Sequence, residues 1–432
     1  MGWVNRDKTA IVGIGATDYY RRGLSWPRTI NEMAGEAILS ACADAGISVK
    51  DIDGFAYYST AGAGYLDKFD TGSLMETLGM PNVSFSATLT SGGGGSPGAI
   101  GLATAGLMNE DCKYAVTVMA LQQLPESRLG TVFGSMAPTA ENSFLQPSGL
   151  VGPGHLVSVL ARRHMHLYGT TEDAFGEVVI ATRANTANRP KAIRKAPLTK
   201  QEYDASPMLA DPLRRLDFCL ESDGAVAVIT TTTDRAKDCR HKPALVHACA
   251  HGGEREWGRA LGWMGMPDPH FASSGHEFTA NRVWAQSGLS AKDMDVALLY
   301  DHFSAMVLMQ LEDYGFCERG EGNDYVLSGK LRYDPQTRGG ANGVSPRQHS
   351  WWQFKRGIYC GDDPHRRSRR TGARHGDQPG CRRQIRSGIW RSRIPAGFQF
   401  DLARRMSAHW ERIYSLPAQP DRQATIHTSQ VQ

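Results

Sequence analysis

The chain reads as an α/β protein built from two related halves, and three observations lead there. A twelve-residue segment at 43–54, ADAGISVKDIDG, recurs 242 residues later at 285–296 as AQSGLSAKDMDV. The shared register pairs Ala43 with Ala285, Gly46 with Gly288, Ser48 with Ser290, Lys50 with Lys292, Asp51 with Asp293 and Asp53 with Asp295. Each copy closes a helix-patterned run (30–45 and 276–287) at a glycine suited to a left-handed C-cap, then crosses a Ser/Asp turn into an apolar run, 55–58 and 296–300. Helix, glycine stop, turn and buried strand form the half-unit of an α/β layer, so its recurrence predicts a duplicated unit with a shared site between the halves. Finally, 432 residues with 41% hydrophobic content suffice for two or three domains with large cores.

In order along the chain, residues 9–14 (TAIVGI) read as a buried first strand whose end is punctuated by Gly13 and Gly15. An amphipathic helix follows over 31–45, capped by Thr29 or Asn31. Residues 83–108 then carry a β-type run that breaks into Gly92, Gly93, Gly94 and Gly95 and continues as an Ala/Gly-rich helix from about Ser96. Small residues along that helix imply burial against another backbone. A flexible loop is one reading of the glycines. A strand before them and a buried helix after them favour the other, close backbone approach to a ligand with helix N-terminal NH groups aimed at an oxyanion. Ser91 and Gly92 to Gly95 are thus the candidate substrate and oxyanion residues. The pattern is neither GxGxxG nor a Walker loop, since no Lys follows. Residues 114–120 read as another buried strand. Beyond the Gly/Pro/Ser-rich region 130–154, residues 162–192 contain a helix end, a YGT stop, a TTED capping signal and a second helix. Residues 217–229 pair a charged turn with an apolar strand that closes the first half near Thr233.

Composition excludes several function classes. The formal charge is +4, yet residues 365–393 hold ten Arg, no Lys and a single acid, Asp377, and the rest of the chain is net acidic. A nucleic-acid partner would rest on that tract alone, which lacks aromatic interleaving, and none is expected. The eight cysteines show no CxxC pair and no short-spaced ladder, as in a reduced cytoplasmic protein, and no metal site is expected. No apolar run approaches the roughly 18 residues that cross a bilayer, and MGWVNRDKTAIVGIG at 1–15 reads as a charged turn and a strand, with neither a signal peptide nor an anchor expected.

Three ordered segments, RRHMHLYGTTEDAFGEVVIATRANTANRPKA at 162–192, LDFCLESDGAVAVI at 216–229 and YDHFSAMVLMQLEDYGFCERGEG at 300–322, resemble the thiolase superfamily. Within it the chain is most similar to the sterol-carrier-type thiolases and thiolase-like lipid-transfer proteins, some of which are retro-aldolases. The resemblance covers residues 8–345 and implies a duplicated αβαβα fold, a homodimer and acyl-CoA thioesters as substrates, with no cofactor. It also implies a small OB-fold partner with a zinc ribbon for the retro-aldolases. The halves would then span residues 1–240 and 241–345.

One departure decides the chemistry. A thiolase carries a nucleophilic Cys where the strand meets the buried helix, because a thiolate there accepts the acyl group. Residues 89–94 of this chain offer Leu, Thr, Ser and glycines, and the nearest cysteine in sequence, Cys112, reads as a core residue. Ser91 has no base assigned to it. By position in LLYDHF, Tyr300 stands where the resemblance places a His or Asn serving an oxyanion hole, with Asp301 and His302 beside it as base or orienting partner. A phenol there can donate to an enolate or exchange a proton with a β-hydroxyl, as retro-aldol cleavage requires. The catalytic candidates are Tyr300, Asp301 and His302; His276 reads as a helix-cap residue. An acyltransferase of sterol-carrier type and a non-catalytic acyl-CoA or lipid carrier are the alternatives.

The last segment departs from the resemblance. From about Ser345 apolar periodicity stops, and residues 346–432 become rich in Arg, His, Gly and Pro. Gln348 to Arg356 (QHSWWQFKR), read one base later, permits NTHGGNLSE, in which the two Trp codons force the two glycines. A single-base frame shift is the expected explanation of residues 346 to about 395, with a divergent basic tail as the alternative. As written, the segment is expected to be disordered and to leave the second half incomplete and poorly active.

Overall fold

The structure, a computed structural model, describes residues 2–59, 70–90, 95–124, 145–187, 189–253, 271–294 and 296–332, and the backbone of 65–66 and 343–344. Ser91, Gly92, Gly93, Gly94 and the 345–432 segment with its expected frame shift lie outside the described residues. In the first half, β1 (Thr9–Ala16), β2 (Tyr20–Arg21), β3 (Gly54–Ser59), β4 (Tyr65–Leu66), β5 (Phe85–Thr90) and β6 (Tyr114–Gln123) join β9 (Ser222–Thr232) and β10 (Ala244–Leu245) in one mixed sheet. Its path runs β10-β1-β9-β6-β3-β5, with β2 pairing β9 and β4 pairing β6. β3 is parallel to β5 and β6, whereas β9 is antiparallel to β6 and β1. The strands β1, β3, β5 and β6 therefore end on one rim, at Ala16, Ser59, Thr90 and Gln123. β7 (Met208–Ala210) and β8 (Leu213–Arg214) form a separate hairpin.

Both faces of the sheet are covered, which is why β3, β6 and β9 are buried almost throughout. Helix α1 (Ile30–Ala45) starts at a capping box in which Thr29, rather than Asn31, accepts from Glu32 N–H. It lies so close to β1 that a Cβ on Gly13 or Gly15 would fall 2.3 Å from Ala41 O or 1.9 Å from Ala37 O. The two glycines thus lie inside the strand and do not punctuate its end; they are the surface on which the helix rests. The alternate side chains Ile14 and Ala16 face the other way, into the cluster of Tyr58, Met119, Val226 and Val228. There they meet Ala99 and Ile100 of α3 (Ser96–Met108). The small residues of α3 admit side chains rather than a backbone: Gly98 faces Leu89 and His251, Gly101 faces Cys249, and Gly106 faces the Phe85 ring. Cys112 is a core residue with Ala56, Ala103 and Leu107, and burial first, then Asp53 and Asp111, pushes its thiol up to about 12. The helix α2 (Thr71–Leu78) is capped by Asp70.

The repeated segment folds alike twice. α1 ends at Gly46 with φ 76°, and α7 (Glu277–Ser287) ends at Gly288 with φ 69°. Each is followed by a one-turn 3-10 helix with a Ser/Asp capping box, Ser48 N–H donating to Asp51 at 2.8 Å and Ser290 N–H to Asp293 at 3.0 Å. Beyond that point the copies diverge. The first leads into fully buried β3; the second leads only into β11 (Val296–Ala297), with Val296 41% exposed, and not into the expected buried strand over 296–300. A strand extends only as far as its ladder, and β11 pairs with the two-residue β12 (Gly343–Val344).

A second core joins α4 (Pro153–Tyr168), α5 (Glu172–Thr186), α8 (Ser304–Asp313) and α9 (Gly322–Leu327), with the short α6 (Lys200–Asp204) beside them. All ten residues of α8 are buried. α4 stops at Gly169 with φ 71° as expected, but the N-cap Thr171 of α5 gives no side-chain cap bond; its N–H and hydroxyl donate to Asn323 instead. No helix among the described residues is long and apolar enough to cross a membrane. Because the Gly15 contact is with backbone, Gly15→Ala is expected to cost about 3 kcal/mol, read from the urea midpoint at constant m-value; an unchanged midpoint would show that α1 can lift off the strand.

Candidate active site

The segment Tyr300–Asp301–His302 lies between β11 and α8, and one side chain of α8 sets its backbone. Gln310, 1% exposed, accepts from Tyr300 N–H at 2.9 Å and donates to Tyr300 O at 2.7 Å and Met306 O at 3.0 Å. A carboxamide has the same donor and acceptor pair as a peptide group, so it substitutes for a ladder neighbour where β11 has ended. On the other side Cys219 N–H donates to His302 O at 3.0 Å, and Phe303 bridges to Phe218, their rings edge to face at 5.1 Å. The three expected catalytic residues are thereby held as one unit.

Within it the rings of Tyr300 and His302 stack at 4.0 Å and 17°. Burial, followed by neighbouring His276, pushes the His302 imidazolium down to about 3, although Nδ1 lies 3.4 Å from Tyr300 O. The ring is neutral at physiological pH, and a base that weak accepts a proton poorly. The role of base does not suit His302; it fits as the platform that fixes the Tyr300 ring. Both Asp301 carboxylate oxygens are buried, and Asp301 lies near Cys219, whose thiol is pushed up to about 12 by burial and then by this charge. His276 occupies the N-cap position of α7 with its N–H on Asp313 at 3.0 Å. Its ring meets Ser274 Oγ at 2.9 Å, and that hydroxyl donates to Asp313 at 2.5 Å.

The first-half group gathers at the start of α3. Gly95 caps the helix without a side-chain hydrogen bond. Ser96, 1% exposed, has a hydroxyl with no hydrogen-bond partner among the described residues. The His251 ring would meet a Cβ on Gly98 at 2.8 Å, and Cys249 Sγ lies 2.9 Å from Pro97 O, to which it donates. Folding therefore brings Cys249, not Cys112, to this helix start, and burial pushes its thiol up to about 11, which disfavours a thiolate there. Ser96 was open to sequence reasoning, as a hydroxyl residue between a glycine run and the Pro of a helix first turn. Cys249 and His251 were not, because only the tertiary fold brings them within reach of Gly98. Helix N-terminal NH groups with a buried hydroxyl favour developing negative charge.

The thiolase C-terminal domain-like family matches residues 263–344. The chain is 33% identical over 351 residues to the 17-hydroxy-3-oxo-4-pregnene-20-carboxyl-CoA lyase of Mycobacterium tuberculosis, covering 78% of this chain and 87% of the relative. It is also 33% identical over 347 residues to the steroid side-chain-cleaving aldolase of Thermomonospora curvata, covering 77% and 85%. This chain belongs to the thiolase superfamily. Its place there is the sterol-carrier-type retro-aldolase branch, for the solved Ltp2-ChsH2(DUF35) aldolase matches it with TM-score 0.69 at 31% identity over 81% of this chain and 86% of that one. A monomeric SCP2-thiolase-like protein of Mycobacterium smegmatis, at TM-score 0.55 and 15% identity over 79% of this chain and 67% of its own, shares the thiolase fold.

The His302 value of about 3 lies below the roughly 6.5 of an unfolded His, so its contribution to stability is full above pH 6.5 and is lost as pH falls toward 3. In His302→Phe the loss of stability with falling pH should be shallower by about 1.4 kcal/mol per pH unit in this window. An unchanged slope in denaturant titrations from pH 6.5 to 4 would show that His302 binds protons in the folded state.

Proposed function

We propose that this thiolase-superfamily chain cleaves the Cα–Cβ bond of a β-hydroxyacyl-CoA carried on a steroid or other lipid side chain by retro-aldol chemistry. The observation that carries this reading is the β5–α3 junction, LTSGGGGS, which contains no cysteine, while the thiol that folding brings to it is held protonated. Acyl transfer through a thioester on the enzyme has no nucleophile there. The steroid aldolases at 33% identity support the substrate class.

In this mechanism the β-hydroxyl loses its proton to the Tyr300–Asp301 pair. The electron pair of the O–H bond becomes the carbonyl π bond of the leaving ketone or aldehyde, and the Cα–Cβ pair becomes a thioester enolate. Backbone NH groups at Gly92 to Gly95, with the Ser96 hydroxyl, receive that charge. Return of the proton to Cα yields the shortened acyl-CoA, and nothing is left on the enzyme. His302 orients the Tyr300 ring. The reading includes a second copy of the chain, for which β5, at the end of the sheet path among the described residues, offers an edge, and a small partner protein, as in the two-protein Ltp2-ChsH2(DUF35) aldolase; that this partner carries an OB fold and a zinc ribbon is part of the proposal.

The test is turnover of a β-hydroxyacyl-CoA with equal yields of carbonyl product and shortened acyl-CoA, together with the intact mass of the protein during turnover. A parallel sample with the 346–395 frame restored isolates the effect of the tail. Tyr300→Phe should lower kcat by about 100-fold or more with KM little changed. An acyl adduct on the chain, or undiminished cleavage by Tyr300→Phe, would contradict the mechanism and favour acyl transfer.

A further inference from the structure

We propose that Arg183, Arg194, Arg21 and Arg215 form a phosphate-binding site that takes the nucleotide end of the CoA substrate; this rests on the acyl-CoA reading above. Arg183 of α5 is 6% exposed, and while its Nη1 donates to Ala196 O at 3.3 Å, its buried Nε and Nη2 have no hydrogen-bond partner among the described residues. A buried guanidinium with two unused donor nitrogens is costly unless an anion completes it. The segment that brings Arg194 to it is fastened at both ends. Lys191 Nζ donates to Ala16 O at 2.6 Å and Thr17 O at 3.1 Å, at the end of β1, and Arg183 holds Ala196.

The bond from Arg183 to Ala196 holds the segment two residues beyond Arg194, and the Lys191 bonds fix that segment at the end of β1, just ahead of Arg21. In keeping with this, burial first and Arg194 second lower the Arg183 pKa, and burial first, then Arg21 and Arg215, lower that of Arg194. The four cations grade from buried Arg183 through half-buried Arg194 to exposed Arg21 and Arg215. None of the four is in an ion pair among the described residues. The facing acid is Glu202, which is engaged in capping Thr199, and Asp18 belongs to Lys191 at 3.6 Å. Guanidinium forks match phosphate oxygens two at a time.

Position supports the same occupant. Arg21 follows β1, whose end lies on the rim where β5 ends and α3 begins. From β1 to β5 is four strand spacings, about 19 Å at roughly 4.8 Å each. An extended phosphopantetheine arm bridges that span, with its phosphates at the arginines and its thioester at Ser96.

The test is calorimetric binding of acetyl-CoA, S-acetylpantetheine and inorganic pyrophosphate to the full chain and to Arg194→Gln and Arg21→Gln, with Arg183→Gln included where its unfolding midpoint shows it folded. Expected is about tenfold weaker binding of acetyl-CoA and pyrophosphate by Arg194→Gln, with S-acetylpantetheine binding unchanged. Acetyl-CoA bound equally by wild type and both exposed-side variants would overturn the site and leave the acyl-CoA reading standing. Arginine-dependent pyrophosphate binding without any acetyl-CoA binding would overturn the assigned occupant and the acyl-CoA reading together.

Discussion

Gln310 grips the backbone of Tyr300 from both sides, and it can do so because the helix that carries it is buried along its whole length. A buried polar helix face is tolerated only when every group finds a partner. Here each partner is a different segment. Ser304 donates to Asp217 at 2.5 Å, Glu312 meets His164 at 3.0 Å and Gly322 N–H at 2.9 Å, and Asp313 accepts from Ser273, Ser274 and His276 N–H. Removing any one of these side chains leaves a buried donor or acceptor unmade at about 1–3 kcal/mol, which exceeds what a surface loop can lose and stay placed. The Tyr300–Asp301–His302 segment is therefore tied to the core beneath it.

That anchoring has an electrostatic counterpart. Burial keeps His302 neutral, Cys249 and Cys219 protonated, and Asp217 up near 6 despite hydrogen bonds from Ser304, Arg214 and Tyr203. Where the neighbouring His and Cys side chains carry no charge, an enolate is stabilised through fixed dipoles and donors. The same burial keeps the Cys249 thiol protonated, so that thiol and the neutral His302 ring have one physical origin.

Much of this was legible in the residues alone. The repeat was visible because its Gly, Ser and Asp positions are dictated by local rules, a left-handed stop and a capping box, and the structure repeats both at Gly46 and Gly288. Apolar character predicts a strand over 296–300, but it says nothing about whether a ladder partner exists, and the strand stops at Ala297. Gly13 and Gly15 read as punctuation in the sequence because a glycine that ends a strand and one that admits a helix look alike there. Gln310 carried no signal: a lone Gln in an apolar helix reads as an exposed face until the fold shows what it meets. The arginines at 21, 183, 194 and 215 lie too far apart in the chain to have been read as a cluster.

The most direct test of this account is a double-mutant cycle on cleavage rate, with Gln310→Met and Tyr300→Phe measured singly and together in protein of matched stability. If Gln310 acts by holding Tyr300, the double variant will be no slower than Tyr300→Phe alone. If Gln310→Met slows cleavage by the same factor in both backgrounds, the clamp and the phenol are independent and the account fails.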